Sequence, residues 1–190
     1  MSHQSTPAEP LFTFPIRNGM RKLKELIIYI ANVSKDDPNF GAIKLNKILY
    51  YSDFRAYART GSPITGVRYF KLPRGPAPRA MSPVQHELIE ERSVNLETVP
   101  IGPFVQKRIV ACRDPDLSLF TDDELALVNE VISELSGLSA TAISEASHDI
   151  RWRALQMYDD MPYQFASLSN APLTQRDRQR TEELKRKYGW

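Results

Sequence analysis

The stretch KLNKILYYSDFRAYARTGSPITGVRYFKLPRGPAP, Lys44 to Pro78, decides how this chain reads. Its first half predicts a helix over 42–59. Leu45, Ile48, Leu49 and Ser52 fall on one face and Tyr50, Phe54 and Tyr57 on another. A helix apolar around most of its circumference is a buried one, so this segment is expected at the centre of the fold. The strip left over, Lys44, Lys47, Tyr51 and Arg55, is polar. Gly61 is placed to end the helix, because glycine adopts the left-handed C-terminal conformation without penalty. ITGVRYFKL, 64–72, is rich in β-branched and aromatic residues and predicts a strand. Val67, Tyr69 and Lys71 would face one way and Arg68, Phe70 and Leu72 the other. PRGPAP then stiffens the path, since each proline fixes its own φ and restrains its predecessor.

On the N-terminal side, Leu23, Leu26, Ile27 and Ile30 recur at helical spacing and predict a helix over 16–33, which KDDPNFG ends. On the C-terminal side a helix is expected at about 79–91, with Met81, Val84 and Leu88 inward. SVNLETV and FVQKRIVAC predict an antiparallel hairpin turned by PIGP. Thr121 with Glu124 three residues later forms a capping box, with Phe120 and Leu125 spaced as a hydrophobic staple. The helix that follows would bury Leu125, Val128, Ile132 and Leu135 and stop at Gly137. Ser139 caps another, running to about His148, with Leu138 and Ile143 as a second staple. RWRALQMYDDMPYQF is aromatic and is expected to pack back on the core. The fold class is therefore mainly α within α+β: a helical core with a small antiparallel sheet or hairpin. The expected organisation is a flexible tail over 1–15, one domain over 16–170, and an exposed, charged helix over 171–190.

With 42% hydrophobic and 25% charged residues, 190 in all, the composition is that of a globular chain long enough to bury a core. The single cysteine, Cys112, rules out an internal disulfide framework and fits a reducing cytoplasm. No apolar run is long enough to span a bilayer, and the N-terminus has no basic start followed by an apolar block, so neither membrane nor secretory leader is expected. Charge is segregated: residues 1–80 hold 13 Lys and Arg against 5 Asp and Glu, and residues 81–170 hold 6 against 15. Either the halves neutralise each other inside one fold, or one charged face is open to a partner.

Chemistry-bearing patterns are sparse. One cysteine and scattered histidines do not supply the ligands of a zinc site, and no cofactor is expected. PRGPAP is not a phosphate cradle, because its prolines lack the amide donors a cradle uses. His86, with Glu90 four residues on, is a solvated helix residue. His148 sits near a helix end with Trp152 four residues on and admits three roles: packing, partner contact, or catalysis in an undetected enzyme. A helix, a hairpin and Arg74, Arg79, Lys107 and Arg108 could serve a DNA-binding autoregulator. No helix, however, presents a reading face of Arg, Asn and Gln, so nucleic acid is not expected to be the primary partner.

The stretch resembles the SocA-like antitoxin family, the Panacea domain of bacteria and prophages. The family's Lys-Leu…Leu-Tyr-Tyr-x-Asp-Phe helix is matched by Lys44, Leu45, Leu49, Tyr50, Tyr51, Asp53 and Phe54. Its Thr-Gly…Ile-Thr-Gly, Tyr-x-Lys-Leu and Gly-Pro-x-Pro follow as Thr60, Gly61, Ile64 to Gly66, Tyr69, Lys71, Leu72, Gly75, Pro76 and Pro78. A later Ser-His…Trp…Pro-Tyr pattern is met by Ser147, His148, Trp152, Pro162 and Tyr163. The resemblance, over about 20–165, implies a non-enzymatic antitoxin that neutralises a cognate toxin protein, by direct binding or by delivery to an ATP-dependent protease. On that implication, the 64–79 strand and turn becomes a presenting surface, since tyrosine and arginine anchor interfaces and proline lowers the ordering cost of binding. The expected partner-binding residues are Tyr51, Arg55, Arg68, Tyr69, Lys71, Arg74, His148 and Trp152.

Overall fold

In the computed structural model, which describes residues 10–168 and 175–188, the second helix, α2 (Ala42–Thr60), is the axis on which the rest is assembled. It follows α1 (Gly19–Val33) and ends at Gly61, whose φ of 77° is the left-handed cap the sequence predicts. Leu45, Ile48, Leu49, Tyr50 and Phe54 are buried, as are Leu23, Leu26, Ile27 and Ile30 of α1. Each such aliphatic side chain contributes about 1.5–3 kcal/mol of transfer free energy. The same helix touches α1, α4 (Asp122–Leu135), α5 (Ala140–Ala146), the hairpin and the 3-10 turn Tyr163–Ser167.

Two small antiparallel sheets lie around this core. One orders β2 (Ala77–Pro78), β1 (Tyr69–Phe70) and β5 (Asp160–Met161), with Tyr69 opposite both Pro78 and Met161. The other is the predicted hairpin, β3 (Val94–Ile101) with β4 (Phe104–Ala111), turned at Gly102 and Pro103. Between β2 and β3 in the chain comes α3 (Met81–Glu90), which buries Met81, Val84 and Leu88 and packs on β3. The capping box forms as predicted: Thr121 Oγ accepts from the Glu124 amide, and Glu124 Oε2 accepts from the Thr121 amide at 2.9 Å. Ser139 caps α5. His86 is solvated beside Glu90. The short α6 (Ile150–Arg153) and the segment after it bring Tyr163 back into the core. The last described element, α7 (Gln175–Tyr188), is a charged helix; residues 171–174 and 189–190 of the predicted appendage lie outside the described residues.

Several expectations are corrected. The predicted strand over 64–72 shrinks to Tyr69–Phe70. Residues before it spend their backbone groups elsewhere: the Thr65 amide donates to the Asp53 carboxylate at 2.7 Å, and the carbonyl of Gly66, at φ 70°, accepts from the Phe14 amide. Lys44 and Lys47 belong to a polar strip by sequence, yet both are buried. Lys44 meets Asp37 at 2.6 Å and Lys47 donates to the Pro76 carbonyl at 2.7 Å. In α4 the buried stripe is Leu127, Val128, Val131 and Leu135, turned away from Leu125 and Ile132, which are half-buried. Leu138 of the second predicted staple is exposed. Residues 1–9 of the predicted tail lie outside the described residues, whereas Leu11 and Phe14 run along the core. The Leu11 carbonyl accepts from the Tyr163 amide, and the Phe14 ring lies 6.1 Å from Tyr57.

Candidate functional site

Lys71 to Pro76 forms a turn whose carbonyl groups are tied down one after another. The Tyr158 amide donates to the Lys71 carbonyl at 3.0 Å and Trp152 Nε1 to that of Leu72 at 2.9 Å. His148 Nε2 lies 3.1 Å from the Pro73 carbonyl; a carbonyl only accepts, so Nε2 carries the proton in this contact. Lys47 Nζ holds the Pro76 carbonyl from within the core. The sequence arranges this locally. Asp149 caps α6 by accepting from the Arg151 and Trp152 amides, which orients Trp152 under the turn. Four residues earlier His148 stacks on the Trp152 ring at 3.9 Å. Lys71 Nζ lies 3.7 Å over that same ring and donates to the Leu155 carbonyl at 2.7 Å.

Gly75 is required where it stands. Its φ is 88°, and a Cβ there would run into Ser147 Oγ and lie 2.6 Å from Lys47 Cε. Among the described residues the buried Lys47 amine has a carbonyl but no carboxylate for a partner, and loss of hydration lowers its pKa to about 7.

Deeper still, Asp53 organises the start of the segment. Its carboxylate accepts from the Thr65 amide, the Thr65 hydroxyl and, at 2.9 Å, the Tyr69 hydroxyl. Tyr163 adds a contact at 3.5 Å and donates to the Val67 carbonyl at 2.7 Å. Burial pushes the Asp53 carboxyl up, against these donors, and also pushes the Tyr69 and Tyr163 hydroxyls up. The Phe54, Tyr69 and Tyr163 rings close over the group. This network is sealed from solvent, so its chemistry is that of a clamp.

The expected partner-binding residues divide by burial. Arg68 and Arg74 are exposed, Arg74 with no ion pair to a described residue. Tyr69 and Lys71 are buried instead: the predicted alternation holds, but their face is the one the core claims. His148 and Trp152 are half-buried beneath the turn. Tyr51 and Arg55 take different duties. Burial, with Asp149 adding to it, pushes the Tyr51 hydroxyl up to about 12. Arg55 makes a bidentate pair with Glu134 at 2.8 and 2.5 Å, joining α2 to α4. The structure thus gathers Arg68, Tyr69, Lys71, Arg74, His148 and Trp152 around one turn and directs Arg55 elsewhere.

Tyr158, Met157 and Asp160, not foreseen as site residues, complete the exposed side with Arg79, which the sequence offered only as a basic group for nucleic acid. Tyr158, at φ 73°, is 60% exposed, Met157 is 40% exposed, and Arg79 bonds Asp160 and the Tyr158 carbonyl. The aromatic content of RWRALQMYDDMPYQF was the available signal for Tyr158; nothing in the spacing marks Asp160 as the common partner of Arg68 and Arg79. Among the described residues no three His, Cys, Asp or Glu side chains gather as a metal ion would need, and no helix is long and apolar enough to cross a membrane.

Residues 45–153, more than half of the chain, match the family model described as antitoxin SocA-like, Panacea domain. No curated protein and no solved structure matches the chain.

Proposed function

The chain belongs to the antitoxin SocA-like family, and on that premise we propose that it neutralises a cognate toxin by direct, non-enzymatic complex formation through the exposed side of the 71–76 turn. The observation that carries this reading is the anchoring of four carbonyls in one short turn while Pro73 and Arg74 stand in solvent. A loop fixed before binding loses little conformational freedom on association, so more of its contact energy becomes affinity. The adjoining 157–158 segment adds an exposed methionine and tyrosine, residue types enriched at interfaces. His148, with its ring stacked and its Nε2 proton engaged, serves the turn as a positioning group.

The test is co-expression with the product of the neighbouring gene, in cells with and without their ATP-dependent proteases. Direct neutralisation predicts rescue of growth in both backgrounds and co-elution of the two proteins. Rescue confined to the protease-containing cells would instead assign the chain the delivery role, and absence of any complex would refute binding.

A further inference from the structure

Arg68 and Arg79 flank the small sheet, the Arg79 amide donating to the Arg68 carbonyl at 2.8 Å. Both guanidinium groups converge on one carboxylate, Asp160. Arg68 Nη1 lies 3.2 Å from one oxygen and Arg79 Nε bonds the other. Arg79 Nη2 also donates to the Tyr158 carbonyl at 2.7 Å, and its guanidinium lies 4.5 Å over the Phe70 ring. A guanidinium carries five N–H donors, and these contacts engage one nitrogen of Arg68 and two of Arg79. The arginine side chains are 48% and 41% exposed, their carboxylate only 20%. The fork therefore leaves unused donors on its exposed side, beside Tyr158.

We propose that this face receives an acidic segment of the protein partner, one of whose carboxylates completes the Arg68–Arg79 fork alongside Asp160. The inference rests on the binding face assigned above and adds the chemistry of what it binds. Arginine and carboxylate pair bidentately, with geometric selectivity as well as charge. A polypeptide fits better than a nucleic acid. A protein that grips a duplex through about 6–10 phosphate contacts draws on many cations, whereas the fork offers two exposed arginines already shared with Asp160 and beside exposed Asp159. Exposed Met157 and Tyr158 suit an interface with protein.

The experiment titrates the isotope-labelled full chain, at low salt, with a glutamate-rich peptide, a lysine-rich peptide and a short DNA duplex, following backbone amides by NMR. The glutamate-rich peptide is expected to shift amides at 68–79 and 156–160. Its affinity should weaken about tenfold in Arg68→Gln and again in Arg79→Gln, and fall as salt rises. Both positions are exposed, and the untouched amides report whether each variant is folded. No response to the glutamate-rich peptide, or a response that survives both substitutions, overturns the proposal; tighter binding of the duplex reassigns the face to nucleic acid. Growth rescue by Arg74→Glu tests the face separately. Lost rescue with a silent glutamate titration keeps the face and discards the acidic partner, and retained rescue removes the toxin face itself.

Discussion

Beneath the 64–79 segment, Asp53, Tyr69, Lys47 and Tyr163 are buried; on its other side Arg68, Arg74, Arg79 and Tyr158 stand in solvent. The two sets are close in sequence and in kind, tyrosines and charged groups alike, yet they face different physics. A buried polar group left without its partner costs about 1–3 kcal/mol, and more if charged. An exposed one exchanges its partner for water at almost no cost. The inner set therefore determines whether the turn has a shape, and the outer set is free to determine what that shape meets. Residue type alone does not separate the two; the side of the backbone does.

The sharpest way to break this division is from inside. Asp53→Ala strands the Thr65 amide and the Thr65 and Tyr69 hydroxyls in the core, and is expected to lower stability by about 3–5 kcal/mol in denaturant unfolding. A near-wild-type midpoint would remove Asp53 from the clamp. Gly75→Ala acts at the boundary between the sets. With φ at 88° and Ser147 and Lys47 in the way, it is expected to cost about 1–3 kcal/mol and to reduce toxin binding in the fraction that stays folded. Binding unchanged in that fraction would mean that the partner does not read the turn's shape.

Lys47 offers a reading in pH. Its folded pKa, about 7, lies below the 10.5 of the unfolded chain, so between those values the unfolded chain binds more protons. The contribution of this lysine to stability is accordingly least below pH 7 and grows as pH rises toward 10.5, at up to about 1.4 kcal/mol per pH unit. The stability of wild type minus that of Lys47→Met should therefore increase over this window. A flat difference would show that water reaches the amine.

Much of the frame was legible from sequence because local chemistry alone dictates it. The apolar girdle of α2, the Thr121–Glu124 box and the Gly61 cap need only neighbours along the chain. What escaped depends on partners far away. Lys44 and Lys47 look like a solvated strip until Asp37 and the Pro76 carbonyl are brought to them. Tyr69 and Lys71 alternate correctly with Arg68 and Phe70, but alternation does not say which face the core will take. The strand starts late because Asp53, buried in the helix core, captures the amide and hydroxyl of Thr65. His148 and Trp152 are spaced as a pair by sequence, yet the carbonyls they hold lie some 75 to 80 residues upstream.

The claim that the inner set holds while the outer set touches is tested most directly by Arg74→Glu, with denaturant unfolding and growth rescue measured on the same variant. Exposed and without an ion pair to any described residue, Arg74 is expected to tolerate the reversal within about 0.5 kcal/mol. The account predicts an unchanged unfolding midpoint together with lost neutralisation of the toxin. A folded Arg74→Glu protein that still rescues growth would contradict it.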